Sequence, residues 1–224
     1  MRDPLVVAFD IETCPLPPDT LPPRAARRLA LRVDAERRRT AERGLAFDPD
    51  AARRSAGALH GALGWICCAS FVRLGPDAQP RTPRSFAAAT PADEHALLAD
   101  LWGTLAQMPR RVLWVSFYGK RFDAEFLATR SLAHGLTPSR LDLLHRHPYV
   151  HRPHLDLSAL WRSAAMGLDD VCELLGTPSP KRDLCGAGVA DAVASGRLDR
   201  VVAYCEADAV ATLRAYQHLA PLLA

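Results

Sequence analysis

Asp10 and Glu12 stand close together near the start of the chain, separated only by Ile11. Side chains of a β-strand alternate between its faces, so Asp10 and Glu12 would point to the same side. Like charges at this spacing repel unless something positive lies between them. Hard divalent cations such as Mg²⁺ and Mn²⁺ prefer carboxylate oxygens as ligands. The spacing predicts part of a metal site, but an isolated pair also fits a solvated strand end, so further ligands are needed.

Further candidate ligands follow in chain order. Asp123 comes after an apolar strand pattern, where Gly119 permits a tight turn from strand to helix. A carboxylate in a first helical turn is also favoured by the helix dipole alone. Tyr204 and Asp208 are four residues apart on the last predicted helix and therefore share a face. Four carboxylates and one phenol can form a two-metal site for phosphodiester hydrolysis.

Apolar runs and turn signals predict the elements that would position these side chains. Strands are predicted over residues 5–9, 65–72, 84–87 and 112–117. Helices are predicted over residues 24–43, 90–108, 118–134, 155–162, 168–175, 191–195 and 199–219, with a short one after 48–50. The length of 224 residues and this mixture of elements predict one α/β domain over residues 1–224.

Residues 21–60 are an arginine-rich segment after the first strand. They hold ten arginines against five acids, together with many alanines and leucines, which favour helix. A basic helical pair beside an acidic site could guide a phosphate backbone. A solvated helix face explains the same composition equally well.

Composition excludes several classes of protein. Apolar content of 49% and charged content of 24% are ordinary for a globular domain, and a net charge of +3 is compatible with nucleic acid without requiring it. No apolar run approaches the roughly 20 residues that span a bilayer. The start of the chain lacks a leader pattern and the six cysteines lack Cys-x-x-Cys spacing, so we expect a cytoplasmic protein with reduced thiols. The histidines of residues 145–154 match no structural zinc pattern with cysteine partners.

Three short motifs, in this order, resemble those of the DEDD superfamily of 3′–5′ exonucleases in its tyrosine variant, DEDDy. They are the Phe-Asp-Ile-Glu-Thr of residues 9–13, the Phe-Asp of 122–123 and the Tyr-Cys-Glu-Ala-Asp of 204–208. Residues 154–157, 168–171, 174–176, 186–189 and Lys181 are similar to a bacterial family of predicted exonucleases related to the exonuclease domain of family B DNA polymerases. One departure is Tyr118, where that family usually carries asparagine. The resemblance implies an RNase H-like mixed sheet flanked by helices, with residues 21–60 as an insertion.

The resemblance also implies a role for each candidate residue. Two Mg²⁺ or Mn²⁺ ions would be held by four carboxylates, and Tyr204 would orient the attacking water. The four are Asp10, Glu12, Asp123 and Asp208. Asp156 is interpreted as a supporting carboxylate outside the catalytic set.

Other residues are implied to contact substrate. Ile11 and Thr13 would meet the terminal nucleotide, Phe122 would wedge against bases, and Lys120 would contact a phosphate.

The expected function is metal-dependent 3′–5′ exonuclease activity on the 3′ ends of single-stranded DNA. An exoribonuclease remains open, because Asp10 and Glu12 do not distinguish the sugars. The alternative outside the enzymes is a nucleic-acid-binding module without catalytic activity. Such a module is expected to have lost one or more of the four carboxylates, and all four are present here. The expected partners are nucleic acid and proteins of repair or replication, and we do not expect the protein to bind a membrane. The sequence does not indicate an oligomeric state.

Overall fold

A five-stranded mixed sheet forms the centre of the fold in the computed structural model, which describes residues 4–148, 150–161, 163–180 and 184–222. The strands are β1 (Leu5–Pro15), β2 (Gly64–Arg73), β3 (Arg84–Ala87), β4 (Val112–Ser116) and β5 (His154–Asp156). Their order is β3-β2-β1-β4-β5. The β3-β2-β1 half is antiparallel, whereas β4 and β5 run parallel to β1. The predicted mixed α/β sheet is confirmed.

The central strand β1 distributes its side chains between two hydrophobic cores. Val7 and Phe9 belong to the core on one face, and Ala8 belongs to the core on the other. Phe9 stacks on Phe71 of β2 with the ring centroids 5.7 Å apart. The alternation of strand side chains continues along β1, so Asp10 is directed to the same face as Ala8.

Helices cover both faces of the sheet. They are α1 (Pro23–Glu42), α2 (Pro49–Ala58), α3 (Glu94–Ala106), α4 (Asp123–Ala133), α5 (Leu168–Leu174), α6 (Val189–Ala194) and α7 (Leu198–Leu219). Leucines of α3 and Phe126 of α4 pack with Phe9. Ala209 and Leu213 of α7 pack with Ala8 on the opposite face. Asp10 therefore faces the layer that contains the second half of α7.

The arginine-rich segment folds into the predicted pair of helices, α1 and α2. Asp48 caps α2 by accepting hydrogen bonds from the backbone N–H groups of Asp50 and Ala51. Leu29 is the only buried residue of α1, and it packs with Leu21 and Leu63 in a small separate core. Most of α1 is therefore exposed. That the segment is an insertion relative to other proteins stays a prediction.

One predicted helix is wrong. Residues 155–162 were expected to be helical, but His154–Asp156 form β5 and Leu157–Trp161 form a 3-10 helix. Strand β5 pairs with β4, with Trp114 opposite His154 and Ser116 opposite Asp156. These hydrogen bonds join distant parts of the chain, so local helix propensity did not reveal them. Arg162 and the predicted loop residue Lys181 lie outside the described residues.

The described helices include none that is both long and apolar enough to cross a bilayer. All six cysteines are free thiols, and only Cys185 is exposed. Among the histidines considered for zinc, His154 is buried and its Nε2 lies 2.7 Å from the Ser116 hydroxyl.

Candidate active site

Three carboxylates converge beside the middle of β1, which continues to Pro15 and so extends beyond its predicted end at residue 9. Each of Asp10, Glu12 and Asp208 offers an oxygen, and these oxygens all lie within 4.8 Å of one another. The first two come from β1 and the third comes from α7, which packs on the face to which Asp10 is directed. Within the described part of the chain, this is the one cluster of side chains with such metal-ligand spacing. We refer to these three residues and Asp123 as the acid cluster.

Asp123 comes from α4, the helix that packs with Phe9 on the opposite face of the sheet from Ala8. It is the first residue of α4, is buried, and accepts a hydrogen bond from the backbone N–H of Ile11 at 3.1 Å. Its negative charge contributes to raising the pKa values of both Asp10 and Glu12. The predicted fourth ligand is thus electrostatically coupled to the other three, although it stands outside their 4.8 Å group.

The turn between β4 and α4 determines where Asp123 lies. A side chain at Gly119 would place a Cβ 2.5 Å from the Ser116 Cβ, so the close packing of this turn requires glycine. Asp156 accepts hydrogen bonds from the backbone N–H groups of Tyr118 at 2.9 Å and Lys120 at 3.1 Å. Asp156 is therefore a supporting carboxylate that holds the turn.

Burial makes the acid cluster unfavourable when it carries its full negative charge. Desolvation, followed by the neighbouring carboxylates, raises the pKa values of Asp10 and Glu12 well above the ordinary range. Burial also raises the pKa of Asp123 to about 7. The Oδ2 atom of Asp10 is buried without a hydrogen-bond partner among the described residues. A set of hard oxygen donors with an unsatisfied buried oxygen fits a divalent cation.

Tyr204 lies on α7 one helical turn before Asp208 and is 9% exposed. Burial raises the pKa of its phenol, and the charges of Asp208, Glu12 and Asp10 raise it further. The hydroxyl is therefore protonated at neutral pH and suited to hydrogen bonding rather than to removing a proton.

Two features of the site were missed by sequence reasoning. The Cys205 thiol lies 3.4 Å from the backbone oxygen of Asp10 and links α7 to β1. The only available signal was its place between Tyr204 and Asp208. The second is a β-bulge in the pairing of β1 with β2, directly after Glu12. Bulges redirect side chains and are frequent beside active sites.

The Lys120 side chain is buried and bonded within the protein, whereas a contact with a substrate phosphate would need an accessible amine. Its Nζ donates to the backbone oxygens of His147 at 2.7 Å and Val150 at 2.5 Å. Burial lowers the pKa of its ammonium group. This geometry makes Lys120 an anchor for the loop that precedes β5. Its contact with a phosphate stays a prediction that these bonds do not support.

The other candidate substrate contacts lie beside the acid cluster. Thr13 is buried and its hydroxyl donates to the backbone oxygen of Ala58 at 2.7 Å, which joins β1 to α2. Ile11 is buried in the core. Phe122 is half-buried, with its ring centroid 5.5 Å from that of Phe126. The contacts of these three residues with a nucleotide stay predictions.

Two solved structures match nearly the whole chain, with different degrees of similarity. The family B DNA polymerase from the hyperthermophilic archaeon Pyrobaculum calidifontis has a TM-score of 0.64 and 17% sequence identity, over 99% of this chain and 25% of that one. Exonuclease I of E. coli in complex with a dA16 oligonucleotide has a TM-score of 0.45 and 12% identity, over 98% and 43% of the two chains. The chain thus spans a quarter of the polymerase and less than half of exonuclease I. No curated protein matches.

Residues 66–222 match a protein family described as a predicted 3′–5′ exonuclease related to the exonuclease domain of PolB. The matched range is more than half of the chain and includes Asp123, Tyr204 and Asp208, whereas Asp10 and Glu12 precede it. The polymerase likeness supports the fold. The chain therefore belongs to the family of predicted 3′–5′ exonucleases related to the exonuclease domain of PolB, which are hydrolases.

Proposed function

We propose that the protein is a metal-dependent 3′–5′ exonuclease that hydrolyses phosphodiester bonds at the 3′ end of single-stranded DNA by a two-metal mechanism. The observation that carries the proposal is the convergence of Asp10 and Glu12 of β1 with Asp208 of α7, whose carboxylate oxygens lie within 4.8 Å of one another. Family membership supports the reaction class, and the buried carboxylates support the need for cations.

In this mechanism the carboxylates of the acid cluster would hold divalent cations, and the positive charge of the cations would allow the anionic scissile phosphate to approach. Two Mg²⁺ or Mn²⁺ ions bound there would activate the attacking water and stabilise the leaving 3′ oxygen. Asp10 and Glu12 of β1 and Asp208 of α7 would hold the ions, and Asp123 of α4 would complete the set. The Tyr204 hydroxyl donates or accepts a hydrogen bond that orients the water for in-line attack. The oxygen-only donor set favours Mg²⁺ or Mn²⁺ over softer metals.

The test is digestion of single-stranded DNA and RNA oligomers of the same sequence, labelled at the 5′ end. We expect stepwise shortening of the DNA from its 3′ end with Mg²⁺ or Mn²⁺ and none with EDTA. The matched control is Asp10→Asn, which keeps the shape of the side chain and removes its charge. We expect this variant to lose at least roughly 1000-fold in turnover, because ion-stabilised charge is worth several kcal/mol in the transition state.

Each alternative outcome has a separate reading. Faster digestion of RNA than of DNA would replace the proposed substrate with RNA 3′ ends. Tight binding of oligomers without metal-dependent digestion would leave a nucleic-acid-binding module. Equal turnover of Asp10→Asn and wild type would overturn the assignment of the acid cluster.

A further inference from the structure

An exposed aromatic side chain lies at the same edge of the sheet as the acid cluster. Tyr118 follows the end of β4 by two residues and is 52% exposed. Strands β1 and β4 are parallel, with Ala8 opposite Val115, so the end of β4 lies at the edge where Asp10 stands. The turn that begins at Tyr118 ends at Asp123. The ring and the acid cluster are therefore held by one short, tightly packed segment.

The backbone at Tyr118 is in a region that L residues rarely adopt, with φ at 70°. Ala165, with φ at 51°, shares this property. Both line one concavity of about 270 Å³, together with Arg121, Ser158, Trp161 and Met166. Asp156 fixes both walls, since it accepts hydrogen bonds from the Tyr118 N–H at 2.9 Å and the Ser158 hydroxyl at 2.7 Å. Strained residues of this kind concentrate at functional sites.

Asparagine or glycine would meet this backbone requirement with less strain than tyrosine. A bulky ring that is both strained and half in solvent gains little for the core. A tyrosine at position 118 therefore indicates that the exposed ring itself has a binding role.

The chemistry of the concavity suits a nucleobase. The Arg121 guanidinium carbon lies 5.9 Å from the centre of the Tyr118 ring, so a cation and an aromatic face are presented together. Trp161 and Met166 are half-buried and supply apolar surface. The volume is just below that of drug-sized ligand sites and fits one planar group. Bases stack on aromatic and guanidinium planes without sequence preference, and the positive charge complements the phosphates beside them.

We propose that Tyr118, with Arg121 and Trp161, forms a stacking site for one base of the single strand whose 3′ end occupies the acid cluster. The proposal rests on the proposed function and adds the way in which the strand is recognised. A base must leave its partner to stack here, so the site selects single strands over duplexes.

The test is equilibrium binding of thymine DNA oligomers to the chain of residues 1–224 in the Asp10→Asn background, so that binding is measured without digestion. Adding Tyr118→Asn is expected to weaken binding roughly 5- to 100-fold, the loss of one stacked base. Adding Tyr118→Phe keeps the ring and is expected to leave affinity near that of the parent. Asparagine accepts the positive φ, so the melting temperature is expected to hold or rise.

Abasic oligomers identify the stacked base. We expect one position near the 3′ end where removing the base weakens binding of the parent but not of the variant that also carries Tyr118→Asn. Equal affinity of the two proteins for the intact oligomer, or equal losses at every abasic position, would overturn the stacking site. The digestion assay judges the proposed function separately, because binding in this background does not depend on turnover.

Discussion

Burial controls the chemistry of individual residues in the acid cluster. Asp10, Glu12 and Asp123 are placed where their charges are poorly solvated, and their pKa values rise accordingly. A cation that enters the cluster replaces the protons that these carboxylates would otherwise hold. Tyr204 is in the same dry environment, but its neutral hydroxyl needs only a hydrogen-bond partner.

Tyr204→Phe tests the mechanism at the residue scale. The change keeps the ring, its packing on α7 and every proposed metal ligand, and it deletes one hydroxyl. We expect turnover to fall roughly 10- to 1000-fold, because the water loses its orienting hydrogen bond while the ions still activate it. Single-turnover digestion gives the rate, and titrations with metal and oligomer should give unchanged affinities. A rate equal to wild type would make Tyr204 a packing residue only.

The sequence was sufficient for some residues of the site and insufficient for others. The period of two along β1 and the four-residue spacing on α7 predicted that Asp10 pairs with Glu12 and Tyr204 with Asp208. The buried contacts of Lys120 could not be predicted, because its acceptors are backbone oxygens 27 and 30 residues further along the chain. A lone lysine near a motif gives no sign of whether its amine is already bonded.

At the scale of elements, a buried ion pair supports the strand that carries the site. Glu94 is fully buried at the start of α3 and pairs with Arg130 of α4 at 2.6 Å. Glu94 Oε1 also accepts a hydrogen bond at 2.8 Å from the N–H of Ile66, which lies opposite Thr13 at the β-bulge. The pair thus joins two helices to the bulge beside Glu12.

Glu94→Gln is expected to destabilise the fold by about 3–5 kcal/mol, because it leaves the Arg130 charge buried and unpaired. The matched control is Glu125→Gln, which breaks an exposed ion pair with Arg146 of similar length, 2.7 Å. Exposed pairs contribute at most about 1 kcal/mol, so the control should change little. Denaturant unfolding gives both values. Similar losses in the two variants would show that burial does not distinguish these pairs.

The arginine-rich helix α1 allows a second test at this scale. Arg37, Arg38 and Arg39 are exposed, and Leu29 is the one buried residue of α1. If α1 guides the substrate, replacing the three arginines with alanine should weaken binding of single-stranded DNA. The slope of log affinity against log salt should flatten by about 0.7 for each phosphate that the variant no longer neutralises.

The control for this test removes three arginines near the start of β1, away from the acid cluster. Arg73 lies opposite Val7, far along β1 from Glu12, and Arg81 and Arg110 are exposed near the start of β1 too. Replacing these three arginines should leave the salt slope unchanged. Equal slopes for wild type and the α1 variant would identify α1 as a solvated face.

Elements with strong local patterns were predictable, and elements defined by distant partners were not. Helix α7, strands β2 to β4 and the first half of β1 follow from periodicity and apolar runs, whereas the continuation of β1 to Pro15 depends on its pairing with β2. Strand β5 has three residues, and its leucine-rich surroundings favour helix, so only its pairing with β4 makes it a strand. The β-bulge after Glu12 likewise depends on the register between β1 and β2.

At the scale of the whole molecule, the acid cluster joins the two ends of the chain. Strand β1 begins at Leu5 and α7 ends at Leu219, yet Asp10 and Asp208 meet in one cluster. Folding therefore assembles mutually repelling carboxylates that the unfolded chain keeps apart. Protons or cations must offset that repulsion, which couples the stability of the entire fold to pH and to divalent ions.

This coupling predicts how the stability of the metal-free protein depends on pH. The pKa of Asp123 is raised to about 7, and those of Asp10 and Glu12 are raised as well. As pH rises from about 4 to 7, the unfolded chain loses protons that the native state retains, so these groups make the native state progressively less stable. His154 has the opposite effect, because burial lowers its pKa to about 4. Between that pH and the ordinary pKa of histidine, about 6.5, it makes the native state more stable as pH rises.

Thermal unfolding of wild type and Asp10→Asn separates these contributions, since both proteins contain His154. In EDTA, the melting temperature of wild type relative to Asp10→Asn should fall between pH 5 and pH 8, because only wild type accumulates the full repulsion. Millimolar Mg²⁺ should raise the wild-type melting temperature more at pH 8 than at pH 5, since ions bind the ionised cluster, and should raise that of Asp10→Asn less. A constant difference between the two proteins across this range in EDTA would mean that the carboxylates are not coupled as their burial and proximity require.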